Sequence, residues 1–182
     1  MITIRRELGK DAAAREALLD VGYGCARFGK VSHRLREGRR HSAGLAFVAC
    51  DRGRVVGTVR LWDVTAGDRR PALLLGPLTV HPEHRCRGVG SALVQHAVEA
   101  AARLGHGAVL LVGDAPYYDR FGFSAEKTGR LWLPGRYDPH RFLARELVPG
   151  ALDGARGLVR AIGQLLPARL EPHLAQPLPQ AA

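Results

Sequence analysis

Apolar and polar residues alternate in short runs along the N-terminal part of the chain, and these runs predict several strands and one helix. Ile2 and Ile4 flank a polar residue, which predicts a short first strand. Residues 11–21 combine spaced apolar positions with good helix formers, and glycines follow at positions 22 and 24, so we expect a helix that ends there. Further strands are predicted at residues 45–50 and 55–62, with a glycine-containing turn at 51–54 and a mainly polar loop at 64–70.

The middle of the chain predicts a strand, a loop and a helix in direct succession. An apolar run from Leu73 to Val80 breaks at His81-Pro82. Beyond the loop at residues 83–90, apolar residues recur on one face of a helical period, at Leu93, Val94, Ala97, Val98, Ala101 and Leu104. We therefore expect a helix that begins at Ser91 and ends near Gly105.

The next part of the chain supplies the remaining predicted strands. Residues 108–112 are continuously apolar, as expected of a strand buried on both faces. Pro116 is suited to open a short helix after that strand. Two later apolar runs, at residues 131–134 and 141–147, predict the strands that complete the sheet.

The chain length suits one domain, which we place at residues 1–150. We expect residues 151–182 to form a short amphipathic helix and then a tail rich in Pro, Ala and Leu. Apolar residues at 152, 158, 159, 162 and 165 mark the helix. The tail is either loosely attached or covers a neighbouring subunit in a homodimer.

Composition excludes several classes of protein. The hydrophobic fraction of 46% is ordinary for a globular protein, and no apolar run approaches the roughly 18 residues of a membrane span. The first residues lack the apolar stretch of a signal peptide. Three scattered cysteines and eight dispersed histidines show neither a disulfide framework nor the spacing of metal ligands. We therefore expect reduced thiols, no metal, no membrane contact and a cytoplasmic location.

The chain is strongly basic, with 27 basic against 17 acidic residues and a net charge of +10. Such an excess favours anionic ligands and can also bind nucleic acid non-specifically. The residues from Arg27 to His41 carry much of it, and Phe28 is the one aromatic residue among them. Binding to single-stranded nucleic acid uses interleaved aromatics, so we do not expect a nucleic-acid partner. A solvated basic face is the simpler interpretation of this segment.

The loop before the central helix has the features of a phosphate site. Gly88 and Gly90 allow the backbone to approach a ligand closely. The first amides of the following helix have no intrahelical partner and point towards the positive end of its dipole. Arg85 and Arg87 add permanent positive charge. The loop is therefore suited to a pyrophosphate, although a glycine pair after a strand can also be a tight turn that packs a helix on a sheet.

Spacing decides among the pyrophosphate ligands. A P-loop requires lysine after its last glycine, and Ser91 stands there. A dinucleotide fingerprint requires Gly or Ala three residues after Gly90, and Leu93 is present instead; Asp114 could still serve as its ribose-binding acid. The pattern Arg-x-x-Gly-x-Gly from Arg85 to Gly90 fits better. It resembles the acyl-coenzyme A loop of the GNAT N-acetyltransferase superfamily.

A second segment carries the same resemblance. Residues 117–123, Tyr-Tyr-Asp-Arg-Phe-Gly-Phe, follow the predicted buried strand. They are similar to the superfamily's tyrosine segment, in which a tyrosine lies four residues before a Gly-Phe pair, and in this chain that tyrosine is Tyr118. An aromatic cluster alone would more often be core. The two segments in the right order make the resemblance specific; it extends over about residues 2–148 and is closest at 75–123.

The resemblance implies an α/β fold with a central mixed, mostly antiparallel twisted sheet flanked by helices. It implies acetyl transfer from acetyl-CoA to a primary amine of a small-molecule or peptide acceptor by direct attack. It assigns Tyr118 the role of general acid, since tyrosine with a reference pKa of about 10 keeps its proton at neutral pH. The coenzyme would be held by Leu78, Thr79, Val80, Arg85, Cys86, Arg87, Gly88, Val89, Gly90 and Ser91. The backbone of the first three would pair with the pantetheine arm as an added strand does.

Several assignments stay open at this point. Glu83 and Asp63 are candidates for the general base, and each could equally be a surface carboxylate. Asp114 departs from the asparagine often found near this place in the superfamily, so we assign it no coenzyme contact. His84 could touch phosphate or be a solvated loop residue, and the Arg27–Arg40 segment could steer an acceptor. The alternative function is a non-catalytic acyl-CoA-binding or regulatory module of the same fold.

Overall fold

The computed structural model describes residues 1–167. The predicted first strand, first helix, hairpin, central helix, buried strand and short helix are all present, with ends that differ by a few residues from the predicted ones. The strands are β1 (Ile2–Arg6), β2 (Ala46–Asp51), β3 (Arg54–Ala66), β4 (Arg70–Leu75), β5 (Thr79–Val80), β6 (Ala108–Val112), β7 (Leu131–Trp132), β8 (Phe142–Glu146), β9 (Gly157–Leu158) and β10 (Arg160–Ala161). The helices are α1 (Ala12–Tyr23), α2 (Val31–Arg34), α3 (Val89–Arg103) and α4 (Ala115–Asp119).

One mixed sheet of eight strands forms the centre of the fold. Its main path runs β1-β2-β3-β4-β6-β8, and all neighbours on this path are antiparallel except β4 and β6. Strand β3 is long enough to pair also with β5 and β10. The expected mixed, mostly antiparallel sheet flanked by helices is therefore confirmed.

The sheet splits where the predicted central strand is interrupted. Gly76, at φ 128°, and Pro77, after a cis peptide bond, separate β4 from β5. Strand β4 pairs with β6 on its far side, whereas β5 continues along β3 without a second partner among residues 1–167. The two strands therefore diverge after Leu75, and the opening leads towards the loop before α3.

Both faces of the sheet are covered, which explains the continuous apolar runs. In β4 and β6, alternate side chains enter opposite cores, because successive strand residues point to opposite faces. Leu73 and Leu75 pack with the apolar face of α3, and Leu74 packs on the other side with Trp62 and Phe142. This double burial holds β4, β6 and α3 in fixed relation, and the functional loops project from their ends.

Two sequence predictions are wrong. The polar loop predicted at residues 64–70 is mostly strand: Val64 and Ala66 are fully buried in β3, and β4 already begins at Arg70. The helix predicted within residues 151–182 is absent from the described part of that segment. Residues 151–154 form turns, and β9 and β10 follow. The predicted tail lies largely outside the described residues.

The structure also bears on the predictions made from composition. No helix within residues 1–167 combines the length and the apolar character needed to cross a membrane. Cys25, Cys50 and Cys86 are free thiols.

A buried ion pair ties β1 to the start of α1. The Asp11 carboxylate is 4% exposed and accepts from Arg5 Nη1 and Nη2 at 2.6 and 2.9 Å and from the Leu8 backbone N–H at 2.8 Å. The Arg5 hydrogen bond lowers the pKa of Asp11 from 3.8 to about 2. The charged form is therefore favoured in the folded chain. The stabilisation is complete above pH 4 and is lost as the pH falls towards 2.

We expect Asp11→Asn to lower the free energy of unfolding at pH 7 by about 2 kcal/mol. Urea unfolding at pH 7 and at pH 3 measures the effect, and the difference between variant and wild type should shrink at the lower pH. Asp119→Asn is the matched control, since Asp119 is exposed and has no ion pair among the described residues. An equal loss at both pH values would contradict the assignment.

Candidate active site

The loop from Arg85 to Ser91 presents a row of unpaired amides. The backbone N–H groups of residues 86–91 have no acceptor within the described chain; the first helical bond of α3 is Ala92 N–H to Gly88 O at 2.9 Å. Cys86 and Gly88 adopt left-handed backbone, with φ of 57° and 77°. Such alternation curls successive amides into a concave nest that binds anions. Gly90 instead lies inside α3, which begins two residues earlier than predicted.

These amides border an open cleft of about 480 Å³, which we call the loop cleft. It contains nine of the ten residues predicted to hold the coenzyme, all except Arg87. The nine are Leu78, Thr79, Val80, Arg85, Cys86, Gly88, Val89, Gly90 and Ser91. Val89 contributes its backbone, because its side chain is 3% exposed and belongs to the core.

Sequence reasoning missed two residues of the loop cleft. Arg120 adds a cation to the cleft, and its guanidinium carbon lies 4.5 Å from the centre of the Tyr117 ring. Tyr117 itself faces the loop across Gly90. The positions of Arg120 and Tyr117 in the cleft follow from the fold rather than from a local sequence pattern, because α4 reaches the loop only through the pairing of β4 with β6.

His84 also lines the cleft, and its Nε2 lies 3.2 Å from Asp51 Oδ2.

Two of the three residues at positions 78–80 direct their main-chain groups towards the cleft. The His81 N–H donates to Val56 O at 2.8 Å, and Thr79 stands opposite Thr58. Since bonded and non-bonded pairs alternate in an antiparallel ladder, Thr79 turns its main-chain groups towards β3, and Leu78 and Val80 turn theirs away. The Leu78 carbonyl accepts from the Tyr23 hydroxyl, and the Val80 carbonyl accepts from Arg85 Nε at 3.2 Å. The N–H groups of Leu78 and Val80 face the cleft.

Tyr118 lines a small cavity of about 60 Å³, the tyrosine cavity, on the other side of Leu78. Its side chain is 9% exposed, and burial, reinforced by Tyr23 and Tyr117, raises the pKa of its hydroxyl. No residue of the described chain accepts a hydrogen bond from that hydroxyl. Gly113 makes room for the ring, because a Cβ at this position would lie 2.2 Å from Tyr118 Cε2. Gly113 directly follows the predicted strand at residues 108–112, and the sequence analysis did not anticipate this role.

The tyrosine cavity is strongly cationic. Arg27, Lys30 and Arg36 line it, and no carboxylate of the described chain does. Burial, with the charge of Arg36 as a further cause, lowers the pKa of Lys30. The cavity shares Leu78 with the loop cleft, so the two are contiguous.

A larger cavity of about 450 Å³ adjoins the tyrosine cavity, and we call it the arginine cavity. The two share Arg27, Arg36 and Pro77. Its walls come from α1, from β3 and from the segment at residues 27–39, so the basic segment of the sequence is not only a solvated face. The loop cleft, the tyrosine cavity and the arginine cavity thus follow one another in a line.

Neither base candidate from the sequence lies on the tyrosine cavity or the arginine cavity. Glu83 is 74% exposed beside His81. Asp63 lies with His41 on a surface depression that adjoins the arginine cavity through Arg15, Arg39, Arg60 and Leu166, but Asp63 itself does not line that cavity. Three residues with suitable chemistry line the arginine cavity: His33, Glu37 and Glu16, of which Glu16 is paired with Arg15 and Arg27. Burial, together with Arg36 and Arg27, lowers the pKa of His33, so its imidazole is neutral at neutral pH. Sequence analysis had no signal for it, because its distance from Tyr118 along the chain is large.

One group of side chains has the composition of a metal site. The ligand atoms of His81, Glu83 and His84 all lie within 4.8 Å of one another, and the Nδ1 atoms of both histidines are buried without a hydrogen-bond partner in the described chain. His84 Nε2 is already held by Asp51. The group lies beside the loop cleft, away from Tyr118. The sequence expectation of no metal stays a prediction.

Comparison with known proteins supplies a family context for this geometry. Residues 42–125 match the family model described as an acetyltransferase (GNAT) domain. The chain is 32% identical over 159 residues to an uncharacterised N-acetyltransferase, YhbS, of Escherichia coli strain K12; the match covers 86% of this chain and 93% of that protein.

Solved structures agree with this match. The crystal structure of E. coli YhbS in complex with CoA aligns with a TM-score of 0.73 over 88% of this chain and 89% of that chain. A GNAT family acetyltransferase from Brucella melitensis in complex with acetyl-CoA, 25% identical, aligns with a TM-score of 0.66 over 89% of this chain and 96% of that chain.

Proposed function

Because the chain belongs to the GNAT acetyltransferase family and is an acetyl-CoA-dependent N-acetyltransferase, we propose that it transfers the acetyl group to a primary amine by direct attack. The observation that carries the proposal is the line of three cavities. It leads from a nest of free amides, past the Tyr118 hydroxyl, to a cavity of the size of a small acceptor.

We assign the coenzyme to the loop cleft. The amides of residues 86 and 88–91, which line this cleft, would bind the pyrophosphate together with Arg85 and Arg120. The Val80 N–H would pair with the pantetheine arm, which leaves the Leu78 N–H for the acetyl carbonyl. For this arm to form a full ladder, Arg85 would have to release the Val80 carbonyl, which frees its guanidinium for phosphate. Arg87 lies outside the cleft and would add charge without direct contact.

The reaction joins the acceptor nitrogen to the acetyl carbonyl carbon, breaks the carbon–sulfur bond and leaves a thiolate that takes up a proton. The residues of the chain act mainly by positioning, which can contribute roughly 7–11 kcal/mol when two reactants are held in line. Leu78 lies where the loop cleft meets the tyrosine cavity, so its N–H is placed to stabilise charge on the carbonyl oxygen.

Tyr118 is the proposed general acid, since its hydroxyl borders the tyrosine cavity and has no partner in the described chain. Its pKa is raised above the ordinary value of 10, mainly by burial. The hydroxyl therefore stabilises the departing sulfur first as a hydrogen-bond donor, and the proton follows as the thiolate charge develops. Because the pKa is raised, the acid form persists through pH 9. The rate should show no alkaline decline from this group below about pH 10.

The cations around the tyrosine cavity favour the uncharged form of the acceptor amine. An ammonium placed beside Arg27, Lys30 and Arg36 would be disfavoured by like charge, which lowers the pKa of the amine. The released proton can pass to His33 or to water in the arginine cavity.

We expect Gly113→Ala to lower kcat roughly tenfold to 100-fold, because the added methyl group would displace the Tyr118 ring and misplace its hydroxyl. Gly113 does not line the loop cleft, so the Kd for coenzyme A should stay unchanged. Steady-state kinetics and calorimetry measure the two effects. Gly9→Ala is the control, since a Cβ at Gly9 meets open space. Normal turnover in Gly113→Ala would contradict the inference that the close packing of Gly113 against the Tyr118 ring places its hydroxyl.

The proposed function is tested by measuring release of the coenzyme thiol from acetyl-CoA over a panel of amino acids, polyamines, aminoglycosides and peptide N-termini. Turnover that depends on the amine and leaves an N-acetyl product, identified by mass spectrometry, is the expected result. Tight binding of coenzyme A without turnover on any amine would favour the alternative of a non-catalytic coenzyme-binding module.

A further inference from the structure

Arg36 is a buried cation without a partner in the described chain. Arg36 is only 9% exposed. No carboxylate of residues 1–167 lies within 4.0 Å of its guanidinium. None of its guanidinium N–H groups donates a hydrogen bond there either. Burial lowers the pKa of Arg36 to about 10, so the group stays charged at neutral pH. A buried charge without a counter-charge is costly, so Arg36 fits a ligand that brings an anion.

The other four arginines of the arginine cavity already have partners. Their contacts are Arg15 to Glu7 and Glu16, Arg27 to Glu16 and Asp20, Arg60 to Glu7, and Arg39 to the Gly163 carbonyl. The cavity also contains Glu37, which is solvent-exposed. Arg36 therefore supplies the charge that remains available to a ligand in this cavity.

The position of Arg36 sets the distance between an anion bound to its guanidinium and the nitrogen of the acceptor amine. Arg36 lines both the arginine cavity and the tyrosine cavity, where Tyr118 meets the thioester in the proposed reaction. A second unpaired polar group lies in the same wall: the Thr58 hydroxyl oxygen is buried without a hydrogen-bond partner in the described chain, and Thr58 is 1% exposed. An anion bound by these two groups would be close to the amine that attacks.

The arginine cavity also has an apolar part. Leu19, Phe28, Trp62 and Pro77 line it. A side chain of branched or aromatic type would bury its surface there, and the volume of about 450 Å³ suits a small molecule.

We propose that the acetyl acceptor is a free α-amino acid with an apolar side chain, whose carboxylate is bound by Arg36 and the Thr58 hydroxyl. This inference rests on the proposed acetyl transfer. An α-carboxylate is separated from the amine by one carbon, which matches an anion site that borders the tyrosine cavity. The planar guanidinium can donate two parallel hydrogen bonds to a carboxylate, which also orients the amine.

Binding of the product tests the site without turnover. N-acetyl-L-leucine and N-acetyl-L-leucinamide are titrated by calorimetry into the protein saturated with coenzyme A. The carboxylate should bind about 10- to 100-fold more tightly, and Arg36→Met should abolish the preference. Arg36→Lys keeps the positive charge but loses the planar guanidinium with its two parallel donors, so it should give an intermediate preference for the carboxylate. Arg34→Met is the control, since Arg34 is exposed and lines neither cavity.

Two results would overturn the inference: equal or absent binding of both compounds by the wild type, or a preference that persists in a folded Arg36→Met variant. Circular dichroism establishes that the variants fold. Turnover with L-leucine and L-leucinamide separates the two proposals. Transfer to the amide alone would refute the amino-acid acceptor and leave acetyl transfer intact. Arg36-dependent binding without thiol release from any amine would refute acetyl transfer and leave the carboxylate site intact.

Discussion

Tyr118→Phe should lower kcat by about 10²–10³-fold while the Kd for coenzyme A changes less than twofold. The change removes only the hydroxyl that borders the tyrosine cavity, and general acid catalysis typically contributes 10²–10⁴-fold. No hydrogen bond of the described chain is lost with it, so the ring should keep its packing against Phe123 and the stability should be unaffected. Stopped assays with acetyl-CoA and the best amine of the panel give kcat, and calorimetry gives the Kd.

Tyr117→Phe is the matched control for this prediction. Tyr117 is the neighbouring tyrosine of α4 but lines the loop cleft rather than the tyrosine cavity. Loss of its hydroxyl should cost at most one neutral hydrogen bond to the coenzyme, about fivefold in affinity. Full turnover in Tyr118→Phe would refute the acid assignment. Tyr23, the other tyrosine on the tyrosine cavity, would then be the next group to test.

The second large effect is expected for Gly90→Val, which should raise the Kd for coenzyme A at least about 100-fold. A Cβ at this position would lie 3.0 Å from the Tyr117 hydroxyl and 3.6 Å from Val80 Cγ2, and the two methyl groups of valine would project beyond it. They would occupy the space between the amides and Tyr117, where the pyrophosphate is proposed to bind. Loss of several charge-assisted hydrogen bonds accounts for the size of the effect.

This loss should not arise from unfolding. Gly90 lies within α3, where valine has a higher helix propensity than glycine, so the stability should be equal or slightly greater. Gly129→Val is the control, because Gly129 is exposed and a Cβ there meets open space. Wild-type affinity for coenzyme A in Gly90→Val would show that the diphosphate binds elsewhere, and the site assignment would be wrong.

The sequence predicted the loop and central helix well, because their signals are local. Helical periodicity from Leu93 onward and glycines before it depend on neighbours a few residues away. The same kind of signal was misleading near the C-terminal end. Leu158, Val159 and Ile162 have helical spacing, yet residues 160–161 pair with β3 and residues 157–158 with β7. Pairing with distant strands outweighed the local preference.

The predicted coenzyme residues illustrate the same limit within a correct segment. Sequence reasoning took Leu78, Thr79 and Val80 together, whereas the register with β3 turns the main-chain groups of Thr79 away from the cleft. It counted Arg87, which lies outside the loop cleft, and it had no reason to include Arg120. Register and cleft shape depend on how strands and helices meet, and one residue of shift reverses which groups face a ligand.

The mixed sheet was expected from the family resemblance. By itself, the sequence determined that this chain has a loop of free amides at the start of a helix and a tyrosine segment after a buried strand. These features follow from spacing over short distances. Only the tertiary structure decided the acceptor side, because it brings Arg36, Thr58 and Tyr118 from three separate segments to adjoining cavities. It also decided which arginine is unpaired, since each partner is chosen by packing between elements far apart in the chain.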